Sequence, residues 1–380
     1  MSALLVIALV LFLLAVVQAS VLGGWRDQLL GYAADSDTAA PGAPSPGVVA
    51  IVPVRNGEAT LAAVLQDLHA QQGAGNDFSV VVVDDHSTDR TWGIAQAMAR
   101  SWPALRVISA DGCGKKAAIT TGVRASDQDL VLITDADARC GPHRVKALLE
   151  FWSRVRPAMI LMPVRTAGAE PSRDWLQAEE QWALQAVTMG SALAGSPVLA
   201  NGANMAFTRE AFERVGGYVG DGWASGDDVF LLGRMRSAGL LVACLPIPDV
   251  TVTVEPESRL AAWWSQRLRW AGKMRASGQL KGALAVLITL AVPWALLVTT
   301  GRLLDVRIGG QVLYTSAFLL GAWLAWYVPV LRLVFAYQRM QQRPVRPVRT
   351  TLALVLFLVY APLIGIASMV VRPHWKGRRI

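Results

Sequence analysis

The chain places acids and cations at several spacings that chemistry can use. "LITDADARC" drops Asp135 and Asp137 off the end of an apolar run, alternating along an extended segment. Two such carboxylates can serve a ribose and a hard divalent cation, Mg2+ or Mn2+, which takes few protein acids plus phosphate oxygens from its substrate. "VVVVDDHSTD" ends in Asp84 and Asp85, whose oxygens can accept from a base N–H or from ribose hydroxyls. Lys115, behind the glycines of "DGCG", puts a cation on a loop suited to a diphosphate, with Lys116 as the alternative. Asp227 and Asp228 open the amphipathic run "DDVFLLGRMRS", where an acid suits a helix cap or a general base toward an acceptor hydroxyl. In "WWSQRLRWAGK", helical spacing puts Gln266, Arg269 and Trp270 on one face, although Trp and Arg also suit a membrane-interface anchor. Alone, each signal is weak: Asp-x-Asp is common and Asp favours turns.

The elements that must position these residues alternate. "VVAIVPV", "FSVVVVDD", "ALRVIS" and "DLVLITDAD" read as buried strands. Between them lie the helical patterns "EATLAAVLQDLHAQQ", "TDRTWGIAQAMARSW" (capped by Thr88 or Asp89) and "KKAAITTGVRAS". Near-continuous apolar strands separated by helices predict an α/β, Rossmann-like, mostly parallel sheet covered on both faces. Ligands of such sheets bind beyond the carboxyl ends of the strands. Three of those ends carry the polar clusters "PVRN", "DDHSTD" and "TDAD", and their convergence points to a nucleotide site.

Of the 380 residues, 53% are hydrophobic, and they are unevenly placed. Ala3–Leu22, Gly282–Thr300, Gln311–Leu331 and Thr351–Val371 are nearly free of charge and, at about 20 residues each, long enough to cross a bilayer. Residues 1–281 hold 25 Lys+Arg against 27 Asp+Glu, whereas 282–380 hold 11 against 1. The basic charge is therefore a property of the membrane flanks, which excludes nucleic acid as the expected partner. No apolar segment carries an acid in its interior, which argues against a transporter. The three cysteines show neither zinc nor disulfide spacing and fit a reducing compartment. The expected division is an anchor at 1–23, a Pro/Gly/Ser linker at 24–47, a catalytic domain at 48–250, an interfacial segment at 251–281 and a membrane region at 282–380. Arg26 after the first apolar run places the domain in the cytoplasm, on a multi-pass protein of the inner membrane. Three further crossings put "QRMQQRPVRPVR" on the same side and leave the basic tail "RPHWKGRR" outside, which its charge opposes.

Together, "VPVRNGE", "VVVDDHSTD", "GKKAAITTG", "TDAD", "NGANMAF", "GDD" and "QRLRW" run in the order of the membrane-integrated family 2 glycosyltransferases. The chain resembles these inverting GT-A enzymes, which include cellulose, chitin and hyaluronan synthases and ceramide glucosyltransferases. The resemblance implies a GT-A domain with transmembrane α-helices, a divalent cation and a nucleotide-sugar donor, UDP-linked in the expected case. It implies that Pro53, Asn56, Glu58, Asp84, Asp85, Lys115 and Asp135 surround the nucleotide, and that Asp135 and Asp137 bind the metal, Asp137 more directly. Asp228 matches the catalytic base of the family's "ED" motif. Asp227 stands where many members carry Glu, so a one-residue shift of role is open. Gln266, Arg269 and Trp270 match the QxxRW motif beside the diphosphate and the acceptor. The expected acceptor is a hydroxyl of a membrane lipid, glycolipid or carotenoid-like molecule. The alternatives are a processive polysaccharide synthase and a catalytically dead GT-A scaffold.

Overall fold

The computed structural model describes residues 3–35, 46–75, 77–168, 174–221, 226–276, 291–302 and 310–371, with 374–375 and 378–379. Four parallel strands, β1 (Val48–Val54), β2 (Phe78–Asp84), β3 (Leu105–Ser109) and β4 (Leu130–Thr134), alternate with α2 (Leu61–His69), α3 (Thr91–Ala99) and α4 (Lys115–Arg124). The helix α1 (Ala3–Asp35) precedes them. After β4 come the short β5 (Arg139–Cys140), α5 (Arg144–Val155), β6 (Met159–Leu161), β7 (Val164–Thr166) and α6 (Trp175–Leu193). Then follow β8 (Asn204–Thr208), α7 (Arg209–Arg214), α8 (Asp227–Ser237), β9 (Val242–Cys244), β10 (Val252–Val254) and α9 (Leu260–Ala276).

The main sheet runs β3-β2-β1-β4-β8-β6-β9, with β5-β10-β7 as a second small sheet. Strand order reverses between β1 and β4, so a crevice opens at their carboxyl ends, the usual ligand position in such sheets. Alternation along the strands accounts for the two cores. Val49, Ile51, Val81, Val83, Val131 and Ile133 face one helical layer, while Val48, Ala50, Val52, Val80, Val82 and Leu132 face the other. Both sets are buried, as the unbroken apolar runs require. β8 enters antiparallel to β4, pairing Asn204 with Thr134. The short apolar run of "NMAFT" carries no sign of that direction. Asp89, expected with Thr88 as the cap of α3, does accept the Thr91 N–H at 3.0 Å, although Arg90 holds the cap position.

The N-terminal helix α1 (Ala3–Asp35) runs past the expected end of the anchor at residue 23. Its second half packs on the α/β domain, where Leu22 and Leu29 join the cluster of Met189 and Leu333. Residues 36–45 of the expected linker, residues 282–290 of the expected Gly282–Thr300 segment and part of the C-terminal tail lie outside the described residues. Residues 291–302 are helical (α10) and are followed by α11 (Gly310–Met340) and α12 (Pro347–Val370). Ala3–Tyr32, Val312–Met340 and Pro347–Val370 are long and apolar enough to cross a membrane. They pack on one another through Ala8, Leu11, Ala15, Leu319, Ala322 and Leu358. Their outer faces leave Val10, Leu13, Val17, Leu320, Leu324, Leu363 and Ile366 exposed, an apolar belt of the kind a bilayer covers.

Candidate active site

Two loops at the carboxyl ends of β1 and β2 are latched together. Asn56 takes a left-handed backbone (φ 48°), donates its N–H to Ser87 Oγ at 2.9 Å and accepts the Thr88 N–H at 2.8 Å. The Glu58 carboxylate accepts from Arg90 N and Nε at 3.1 and 3.2 Å. Pro53 is buried in β1 opposite Val83. Asn56 and Glu58 therefore spend these contacts on joining the β1 loop to the β2 loop. Asp84 divides its carboxylate: Oδ2 accepts the Ser87 N–H at 3.1 Å, while the buried Oδ1 has no hydrogen-bond partner among the described residues. A buried acceptor left open is costly, and a ligand N–H or hydroxyl would satisfy it. Asp85 is buried, with Oδ1 3.3 Å from His86 Nδ1.

The centre of the site joins three elements that lie far apart in sequence. Lys115, at the start of α4, puts Nζ 2.7 Å from Asp135 Oδ1, 3.0 Å from Asp227 Oδ2 and 3.1 Å from the Gly202 carbonyl. Burial works against the Lys115 ammonium, yet the two carboxylates outweigh it and raise its pKa. Burial also raises Asp135, reinforced by Asp137 and opposed by Lys115 and Arg269. Asp227 is raised in the same way, with Asp228 and Asp135 as its like-charged neighbours. Lys116 is excluded as the alternative cation, because it points away, to Asp221 at 3.1 Å and over the Phe230 ring at 4.1 Å.

Asp228 faces a different cation. Its Oδ2 lies 2.6 Å from Lys273 Nζ and accepts the Gly202 N–H at 3.2 Å, and its Oδ1 accepts the Val229 N–H at 2.8 Å. Burial alone would raise this acid, but Lys273 and the hydrogen bonds bring its pKa below the ordinary 3.8. Gly226, not an aspartate, holds the cap position of α8, in the left-handed region at φ 89°. Lys273 comes from α9, one helical turn beyond Trp270. On the same helix, burial lowers the pKa of Arg269, while the charges of Asp135, Glu257, Asp227 and Asp228 act in the opposite sense. Gln266 donates to Glu257 Oε1 at 3.1 Å. Trp270 meets Arg267, whose guanidinium lies 4.9 Å from the Trp270 and Trp263 rings and pairs with the buried Glu180.

The structure thus gathers Lys115, Asp135, Asp227, Asp228 and Arg269 in one place, with Asp84 at the end of β2, Asp85 just after it and Asp137 exposed. Asp135 and Asp137 could hold a cation, and Asp85, His86 and Cys113 also bring three possible ligand atoms within 4.8 Å of one another. Oxygen donors on one extended segment suit a hard divalent ion, and Asp135 and Asp137 repel each other without one. Sequence reasoning missed Lys273, Gly202, the Glu180–Arg267 pair and Arg144. Arg144 is fully buried and donates to Thr134 Oγ1 at 2.8 Å, Asn204 Oδ1 at 2.7 Å and the Ile133 carbonyl at 3.3 Å. It ties the end of β4, and so the Asp135 segment, to β8. The one trace of it in sequence is an arginine seven residues after the second acid of "DAD".

The model of Glycosyl transferase family 2 matches residues 49–216, from the start of β1 to just beyond α7. Those residues are a family 2 glycosyltransferase domain. A β-monoglucosyldiacylglycerol synthase of Synechocystis is 28% identical over 235 residues, 60% of this chain and 48% of that protein. An undecaprenyl-phosphate 4-deoxy-4-formamido-L-arabinose transferase of Pseudomonas paraeruginosa is 36% identical over 106 residues, 27% of this chain and 31% of that protein. The chain spans about half, or less, of the length of these curated relatives. A mannosyltransferase from Pyrobaculum calidifontis, solved with GDP-mannose and Mn2+, superposes with a TM-score of 0.58 at 22% identity, covering 94% of this chain and 99% of that one. That likeness concerns the GT-A fold, which the glycosyltransferase domain shares.

Proposed function

We propose that the protein is an inverting glycosyltransferase that moves a sugar from a nucleotide donor to a hydroxyl of a membrane lipid or glycolipid. The observation that carries this reading is the Lys115 ammonium held between Asp135 and Asp227, beside Asp228 and Arg269, at the carboxyl ends of the strands. The lipid acceptor is supported by three helices able to cross a bilayer and by the two lipid-named relatives. The donor is UDP-linked in the preferred reading, and the catalytic domain lies on the cytoplasmic face.

In this reading Asp84, Asp85 and the latched Asn56 and Glu58 loop hold the base and ribose. A divalent cation bound by Asp135 and Asp137 would supply positive charge to the diphosphate. Lys115 and Arg269 neutralise the same leaving group from the protein side. The acceptor oxygen forms its bond to the anomeric carbon as the bond to the diphosphate oxygen breaks, and one displacement inverts the configuration. The acceptor proton passes to Asp228, which lies on the α9 side of the site, while Asp227 stays with Lys115 on the donor side. Gln266 and Trp270, with Arg269, would stand near the diphosphate and the acceptor. Membranes holding the protein, given a panel of labelled nucleotide sugars and read by mass spectrometry of the lipid extract, should yield one glycolipid. EDTA should stop its formation, and Asp228→Asn should abolish it while nucleotide binding persists. A ladder of polymer lengths would replace this reading with a processive synthase, and no product from any donor would leave a scaffold.

A further inference from the structure

A second set of ligand atoms stands apart from Asp135 and Asp137. Asp85, His86 and Cys113 bring a carboxylate oxygen, an imidazole nitrogen and a thiol sulfur within 4.8 Å of one another. Among the described residues it is the one group of three or more His, Cys, Asp and Glu side chains so placed. His86 and Cys113 have no part in the proposed transfer.

The fold brings the three together from two loops. Asp85 and His86 follow β2, and Cys113 lies after β3, the parallel neighbour whose Ser109 pairs with Asp84. The Ala110 N–H donates to the Asp84 carbonyl at 3.0 Å and carries that pairing past the strand end. Arg55 Nη1 donates to the carbonyls of Asp85 at 2.8 Å and His86 at 3.0 Å, and His86 takes a left-handed backbone at φ 57°. On the other side, the Asp111 N–H donates to Thr121 Oγ1 at 3.0 Å and fastens the Cys113 loop to α4. Both loops are therefore ordered by folding, before any metal arrives.

The donor set selects the ion. One oxygen, one nitrogen and one sulfur suit the borderline-soft Zn2+, whereas Mg2+ and Mn2+ prefer oxygen donors. His86 Nδ1 lies 3.3 Å from Asp85 Oδ1. Two ligands each about 2.1 Å from a tetrahedral zinc stand roughly 3.4 Å apart, so this pair is spaced for one ion. A hydrogen bond accounts for the pair by itself but gives no reason for the thiol to join it. Asp85 carries two oxygens, so it can give one to a metal beside its other partners. The His86 ring and Cys113 are exposed, which admits an ion from solvent and leaves the sulfur free to rotate onto it. Cys113 binds as the thiolate, its proton passing to solvent, so with Asp85 two negative charges meet the dication.

We propose that Asp85, His86 and Cys113 form a Zn2+ site whose fourth position is left to water. The inference stands on these three side chains and does not depend on the transfer reaction.

The test uses the full chain in detergent with excess Mg2+, which competes for all-oxygen sites, and with Co2+ as the spectroscopic probe. Wild type should show a thiolate-to-Co2+ charge-transfer band that an equivalent of Zn2+ removes. Cys113→Ser should lose the band and bind Zn2+ about 100-fold more weakly, at least the effect of losing an outer partner of a metal ligand. His86→Asn, whose side chain tolerates the left-handed backbone, should weaken Zn2+ in the same way, and Cys140→Ser should match wild type. If Cys113→Ser fails to fold, His86→Asn carries the same comparison. A band that survives Cys113→Ser, equal Zn2+ affinity in wild type and both site variants, or wild-type binding only at millimolar Zn2+ would overturn the proposal. Sugar transfer is not read, so loss of the enzymatic proposal would leave this one standing.

Discussion

Lys273 Nζ lies 2.6 Å from Asp228 Oδ2, joining α9 to the first turn of α8 across 45 residues of chain. This contact holds the proposed base ionised, because the ammonium outweighs the burial that would otherwise raise its pKa. Lys273→Met removes that charge, so Asp228 should titrate at higher pH. A base must be ionised to work, so the acidic limb of the pH–kcat profile should move upward. An unmoved limb would argue that Asp228 is not the proton acceptor, and the same profile on Asp227→Asn would then test the neighbouring acid.

Gly202 is a second check on the centre. A Cβ added there would stand 2.3 Å from Asp227 Oδ2 and 2.9 Å from Lys115 Nζ. Gly202→Ala must therefore displace the Lys115–Asp227 pair. Misplacing a reacting group by about 1 Å costs on the order of 100-fold in turnover. The expected result is that loss in kcat with little change in melting temperature, since the strain falls on the site and not on the apolar core.

Arg144 should act through position alone. Its guanidinium bridges Thr134 and Asn204 from a fully buried place. Arg144→Leu leaves those groups unpaired and should cost about 3 kcal/mol of stability, the scale of hydrogen bonds to a charged group. Arg144→Lys should recover only part of it, because a single ammonium cannot reproduce the fork. Thermal melts in detergent compare the three proteins.

Glu179 predicts a pH dependence whose sign is clear. Its folded pKa lies above the ordinary glutamate value of 4.5, because burial disfavours the charge. An acid that binds its proton more tightly when folded costs stability above its folded pKa, and that cost disappears as pH falls toward 4.5. Glu179→Gln should therefore melt higher than wild type at neutral pH, with the gap closing below pH 4.5. A gap independent of pH would mean that the carboxylate is not the cause.

Much of the fold was legible because its signals are local. Unbroken β-branched runs such as "VVAIVPV" announce strands buried on both faces, and helical spacing in "KKAAITTGVR" announces α4. The extension of α1 was not, because Leu22 and Leu29 are set by what they pack against and not by a cap.

The sequence alone determined which acids stand at the strand ends, and that apolar helices flank a polar domain, since residue type and period are properties of neighbours along the chain. Only the tertiary structure decided between Lys115 and Lys116, adjacent residues of one helix that meet different acids, Asp135 and Asp227 for the first and Asp221 for the second. It also decided that Asp227 meets Lys115 while Asp228 meets Lys273. Such pairings depend on where distant backbone segments cross, and a buried charge takes whichever partner the packing brings within about 3 Å.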